Sequence, residues 1–186
     1  MKKYIFVFSI FILFYSCNIS KKSGKQNNTE RELGVFVTCS GPDFLTSKKY
    51  FRANSIGESI DQVVSKRKAL NNARANLAAS LKILLASVID NYIKFSNFNN
   101  LDKVMERFEG LNREVIKQEL VGIKTICENL TKTTEGKFKT YIAIELSMQK
   151  LFDKFHERMM KDDLLMINYD YEKFKDTFEK EMGKLN

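Results

Sequence analysis

The chain has 186 residues, 44% of them hydrophobic, and a formal net charge of +8. That length suffices for one domain with a genuine core. With one histidine and three scattered cysteines, it lacks the three or four closely spaced ligands that a zinc site wants, so no metal is expected.

The chain opens on Lys2 and Lys3, followed by an uncharged run from Tyr4 to Tyr15 and then Ser16-Cys17. As a helix that run would span roughly 18 Å, well short of a hydrocarbon core of about 30 Å. It suits the apolar core of a secretory leader rather than a stable span. A cysteine at the end of such a run, beside a small serine, reads as a lipoprotein signal. The Cys17 thiol is acylated, the peptide bond between Ser16 and Cys17 is cut, and residues 1–16 are removed. Phe14 and Tyr15 stand where a leucine and a small residue are usual. Two or three acyl chains, each buried CH₂ contributing about 0.8 kcal/mol, make an effectively permanent anchor.

Residues 17–38 read as the lipidated cysteine and a flexible tether. The stretch from Asn18 to Glu32 has no aromatic residue and a single isoleucine, too little apolar content to offset ordering entropy. No acidic run follows Cys17, which points the protein inward, towards the periplasm. Removal of Lys2 and Lys3 with the leader takes the charge from +8 to +6. The remaining basic residues are interspersed with acids, as in Lys103, Glu106, Arg107 and Glu109, so a solvated mixed surface is expected and nucleic acid is not. Cys39 and Cys127 stay in the mature chain. An oxidising compartment would allow them to pair, but Cys127 lies in a strand-like run among apolar neighbours, which favours a buried free thiol.

Residues 39–186 read as a single α+β domain. Lys48–Ser55 is a short strand. Ser59 with Gln62 forms a capping-box pattern, and from there to about Phe95 neither Pro nor Gly interrupts an amphipathic helix. Its stripe is Val63, Leu70, Ala73, Leu77, Leu81, Leu84, Val88 and Tyr92, with alanines first and larger residues later. Small residues at the start would let the helix lie close to a sheet. After a turn at 96–100, Leu101–Gln118 is a second helix with Val104, Phe108, Leu111 and Val115 on its apolar face. Leu120–Thr131 and Lys137–Ser147 alternate as strands about a Glu135-Gly136 turn, forming an antiparallel hairpin. Two helical stretches close the chain. One bears Met148, Phe152, Phe155 and Met159; the other is capped by Asp170 and bears Tyr171, Phe174, Phe178 and Met182. These stripes are expected to pack on the domain's own sheet, although Met and Phe stripes also serve partner surfaces.

Three segments, GPDFLTSKKYFRA (41–53), KALNNARANLAASL (68–81) and KFKTYIAIEL (137–146), together resemble the Lpp-twenty family of outer-membrane lipoproteins. Members often carry glycines straight after the first strand, where this chain has Asn54, Ser55 and Ile56 before Gly57. They often open the helix motif with Ala-Arg, where it has Lys66-Arg67. The resemblance implies long helices on a small antiparallel sheet of about three strands, a helical C-terminus and an outer-membrane address. The family has no established enzymatic activity, so no catalytic residue carries over.

No G-x-S-x-G elbow accompanies His156, and Gly34, Gly41 and Gly57 are too far apart for a phosphate loop. No catalytic residue and no cofactor are therefore assigned. The leading expectation is a non-catalytic envelope lipoprotein. It would touch membrane lipid through Cys17 and bind an envelope protein, or a second copy of itself through the C-terminal Phe and Met stripes. A second reading is a binder of polyanions, nucleic acid or lipopolysaccharide, through Lys66, Arg67 and Arg74 on the long helix. A third is an envelope hydrolase with an unrecognised site.

Overall fold

The structure, a computed structural model, describes residues 37–96 and 98–184. The leader, Ser16, Cys17 and most of the tether lie outside the described residues. The elements are β1 (Tyr50–Ser59), α1 (Gln62–Lys94), α2 (Leu101–Glu119), β2 (Lys124–Lys132), β3 (Phe138–Ser147), α3 (Met148–Met159), α4 (Asp163–Met166) and α5 (Tyr171–Gly183). The strands form one antiparallel sheet in the order β1-β3-β2. This is the α+β arrangement read from the sequence, with helices packed on a small antiparallel sheet and a helical C-terminus.

The contact between β1 and α1 sets the architecture. β1 pairs with β3 from Tyr50 to Ser59, so it runs through Gly57 and beyond the expected end at Ser55. Gly57 stays in the strand because α1 leaves no room above it. A Cβ there would stand 2.2 Å from the Ser65 carbonyl oxygen and 2.4 Å from the Ala69 nitrogen. Side-chain hydroxyls bridge the two backbones. Ser65 Oγ donates to the Gly57 carbonyl at 2.9 Å and lies 2.7 Å from Thr140 Oγ1 on β3. Ser55 Oγ donates to the Ala69 carbonyl.

This contact also corrects two sequence expectations. Ser59 still pairs with Phe138, so it cannot cap α1. Asp61 is the cap instead, accepting from the Val64 nitrogen at 2.8 Å. Val63 does not head the buried stripe and is 72% exposed. Once Ser65 faces the sheet, a residue two places earlier lies about 200° around the helix and points away. The buried stripe is Ser65, Ala69, Ala73, Leu77, Leu81, then Leu84, Leu85, Val88, Ile89 and Tyr92. Alanines do open it where the helix lies closest to the sheet.

Along β3, Thr140, Ile142, Ile144 and Leu146 are buried under α1, as the alternation predicts. α2 buries Val104, Phe108, Leu111 and Val115. Gly136, at φ +83, supplies the left-handed residue of the β2–β3 turn. In the C-terminal helices Met148, Phe152, Phe155 and Met159, with Phe174, Phe178 and Met182, are all buried in the core, while Tyr171 stays 38% exposed. Tyr92 is fully buried, edge-on to Phe174 at 5.2 Å, and its hydroxyl accepts from the Asp170 nitrogen at 2.8 Å. The Phe and Met stripes are thus used up internally.

Glu181 clasps α5 to α1. Its carboxylate accepts from Ser87 Oγ at 2.7 Å, from Asn91 Nδ2 at 3.0 Å and from Lys184. Burial pushes its pKa up, but the hydrogen bonds from Lys184 and Ser87 outweigh that and hold it below the usual value of 4.5. A depressed carboxyl pKa stabilises the fold above the unfolded value and loses that contribution as pH falls through the folded one.

Three substitutions test this packing. Gly57→Ala forces α1 off the sheet and should lower stability in urea by about 3 kcal/mol or more, or prevent folding. Gly110→Ala sits in α2, where an added Cβ meets nothing within 4 Å. It should raise stability by about 0.5–1 kcal/mol. Glu181→Gln should flatten the loss of thermal stability between about pH 5 and pH 3. Its acid limb will match the wild type if the clasp contributes nothing.

Candidate functional site

The face of the sheet away from α1 is crossed by residues 37–47, which form a strap leading into β1. A bulge in β2 makes this possible. Pairing runs Thr125 to Ile144 and then Cys127 to Ala143, leaving Ile126 as the extra residue. A side chain changes face with every residue of a regular strand, so one extra residue reverses the alternation. Without the bulge Cys127 would lie opposite Ile142, on the face that α1 covers. With it, Cys127 shares the outer face with Ala143, where Cys39 meets it.

The two cysteines form a disulfide, with their Cα atoms 5.6 Å apart. The expectation of a buried free thiol at Cys127 is therefore corrected. Apolar neighbours in sequence pointed to the wrong face because the bulge is not visible in the alternation. Cys39 is 3% exposed, takes a left-handed φ of 57°, and sits against the Tyr141 carbonyl, 3.7 Å from Sγ to O. Ala143 beneath is fully buried although it lies on the outer face.

The strap is held at its other end on β1. Thr46 Oγ1 accepts from the Arg52 nitrogen at 3.1 Å and donates to the Arg52 carbonyl at 3.3 Å. The Arg52 guanidinium donates to the Leu45 carbonyl and to Glu145 on β3, at 3.3 and 3.2 Å. One clamp lies on β2 and the other on β1, so the strap spans all three strands.

The free edge of β1 is blunted from the other side. Lys68, Asn72 and Asn76, one turn apart on α1, donate to the carbonyls of Glu58, Ile56 and Asn54 at 3.1, 3.5 and 3.4 Å. Together with Thr46 at Arg52 they occupy four outward carbonyls of an edge strand. Such edges otherwise invite pairing with another chain.

The candidate polyanion contacts are not assembled into one free surface. Lys66 pairs with Glu128 of β2 at 2.8 Å. Arg67 is exposed, whereas Arg74 is half-buried with its Nε inaccessible and without a hydrogen-bond partner. Among the described residues, Arg67 is the one of these three that is both exposed and without a carboxylate partner, where the sequence suggested a ridge. His156 lies 2.8 Å from the Tyr169 hydroxyl and stacks on Phe152, a packing role. Asp162, beside Asp163, caps α4 and pairs with Arg107 at 3.0 Å. Among the described residues no group of three or more His, Cys, Asp or Glu could hold a metal ion, and no helix is long and apolar enough to cross a membrane.

No protein-family model matches the chain, and no curated protein matches it significantly. The strap and its clamps must therefore be judged on their own chemistry. A disulfide closing 88 residues removes much of the entropy of the unfolded chain. Cys39→Ser with Cys127→Ser should lower stability by about 2–5 kcal/mol and slow the chain on a non-reducing gel. Equal urea midpoints with and without reductant would show that the bridge does not form in solution.

Proposed function

We propose that this protein is a lipid-anchored component of the bacterial cell envelope that acts by binding rather than by catalysis. The observation that carries this reading is Cys17, placed one residue, Ser16, beyond Lys2, Lys3 and a 12-residue uncharged run. In the reading, acyl chains on Cys17 hold the protein on the outer membrane, facing the periplasm, and the polar residues that follow give the domain its reach. Three features support it. The Cys39–Cys127 disulfide suits an oxidising compartment outside the cytoplasm. The strap gives an anchored domain a rigid point of attachment. The three segments that resemble the Lpp-twenty family fall on β1, α1 and β3 of the domain, and that resemblance brings an envelope address with it. The partner is another envelope component, met at the high local concentration that shared anchoring provides.

Cells expressing the wild type or Cys17→Ala, grown with radioactive palmitate and then fractionated, test the anchor. The reading expects label and outer-membrane residence in the wild type, and both lost in the variant. An unlabelled wild type with a variant that stays in the membrane would mean an ordinary apolar anchor or leader.

A further inference from the structure

α1 and α2 lie side by side, but part of the seam between them is left open as a groove of about 610 Å³. That volume falls in the range of small-ligand sites. The groove exists because α1 presents Ala78, Ala79 and Ala86 where larger side chains would close it against Ile116 and Leu120 of α2. Its floor is therefore apolar. Its rim is not: Lys82 projects from among the alanines, with Arg113 and Lys117 across from it on successive turns of α2. Glu109 is the one acid in the lining. Among the described residues none of the three cations has a carboxylate partner within 4.0 Å, whereas Lys66, Arg52, Arg107, Lys137 and Lys150 all do.

A second observation comes from inside the groove. Asn112, in the lining, is 8% exposed, and its Oδ1 is inaccessible and has no hydrogen-bond partner. It is the odd residue on a face otherwise made of Val104, Phe108, Leu111, Val115 and Ile116. A buried amide left unpaired carries its full desolvation penalty, which a donor supplied from the groove would relieve. On the neighbouring helix, Arg74 stands one turn before Ala78, and its Nε is buried and unpartnered too.

We propose that the α1–α2 groove is a binding site for a single-chain anionic phospholipid with a hydroxylated head group. The acyl chain lies along the alanines against Ile116 and Leu120. The phosphodiester sits among Lys82, Arg113 and Lys117, and the Asn112 side chain turns its buried Oδ1 towards the groove to accept from a head-group hydroxyl. The floor takes apolar area, the unpaired cations demand an anion, and the amide demands a donor. A free phosphate would satisfy only the second of these. The site does not depend on how the chain is anchored, since none of its residues lies outside the described domain.

The test uses the full chain in phosphatidylcholine nanodiscs, where either a lipidated Cys17 or an uncleaved apolar run retains it. Lysophosphatidylglycerol with a photoreactive acyl chain is added, and crosslinked peptides are mapped by mass spectrometry. Labelling should fall on residues 75–89 and 109–120. It should drop at least tenfold when lysophosphatidylcholine of the same chain replaces it. Ala79→Phe, which fills the groove from an exposed position, should abolish labelling with the circular-dichroism melt unchanged. Arg113→Glu with Lys117→Glu should do the same, and Asn112→Leu should erase the preference for the glycerol head. Equal labelling by the two lipids, labelling elsewhere in the domain, persistence in Ala79→Phe, or complete displacement by inorganic phosphate would each overturn the proposal.

Discussion

The structure depends on one close approach, that of the α1 backbone to β1 over Gly57. Most helix–sheet packing is mediated by side chains. Here a turn of helix around Ser65 and Ala69 rests almost directly on a strand, and only glycine fits beneath it. The hydroxyls of Ser55, Ser65 and Thr140 satisfy backbone and side-chain groups trapped in that contact, so the polar atoms are paired instead of stranded. The approach sets the rotational phase of a helix about 50 Å long. Every later layer inherits that phase. Leu77 to Tyr92 point into the space where α2 and the C-terminal helices gather, and the alanines at 78, 79 and 86 fall on the side where the groove opens.

The opposite face of the sheet is governed by a different constraint, the strap. Its two clamps differ in kind. The disulfide on β2 is covalent and acts chiefly on the unfolded ensemble. The Thr46–Arg52–Glu145 contacts on β1 are hydrogen bonds and an ion pair, with the Arg52 and Glu145 side chains 19% and 12% exposed, better shielded than an ordinary surface pair. Between them the strap covers Ala143 on a face where Ile56 of β1 stays 43% exposed. α1 does the same for the β1 edge through Lys68, Asn72 and Asn76. Unprotected edge strands pair readily with other chains, and both devices guard against that.

Local pattern was legible in the sequence; long-range geometry was not. The long uninterrupted helix, the β2–β3 hairpin about Gly136 and the cap at Asp170 are short-range features, and they stand as read. Gly57 looked like punctuation after a strand, although an isolated glycine in a strand also signals close backbone approach. The bulge at Ile126 has no marker in a run such as KTICENLTK, so the facing of Cys127 and its partnership with Cys39 stayed hidden. Lys66 looked like a free cation because Glu128 is 62 residues away in the chain. The groove was illegible for a simpler reason. It is made by missing volume at alanines that periodicity places off the buried stripe, next to an asparagine whose lack of a partner only packing can show.

These features make a coherent object for the proposed role: a domain rigid at its point of attachment, guarded at its edges and open at one seam. The direct test is the intact mass of the protein extracted in mild detergent from the envelope of the cells that make it. The account predicts a chain beginning at Cys17, heavier by its acyl chains and lighter by two hydrogens than the fully reduced form. An unacylated chain, one that retains residues 1–16, or one with both Cys39 and Cys127 as free thiols would contradict it.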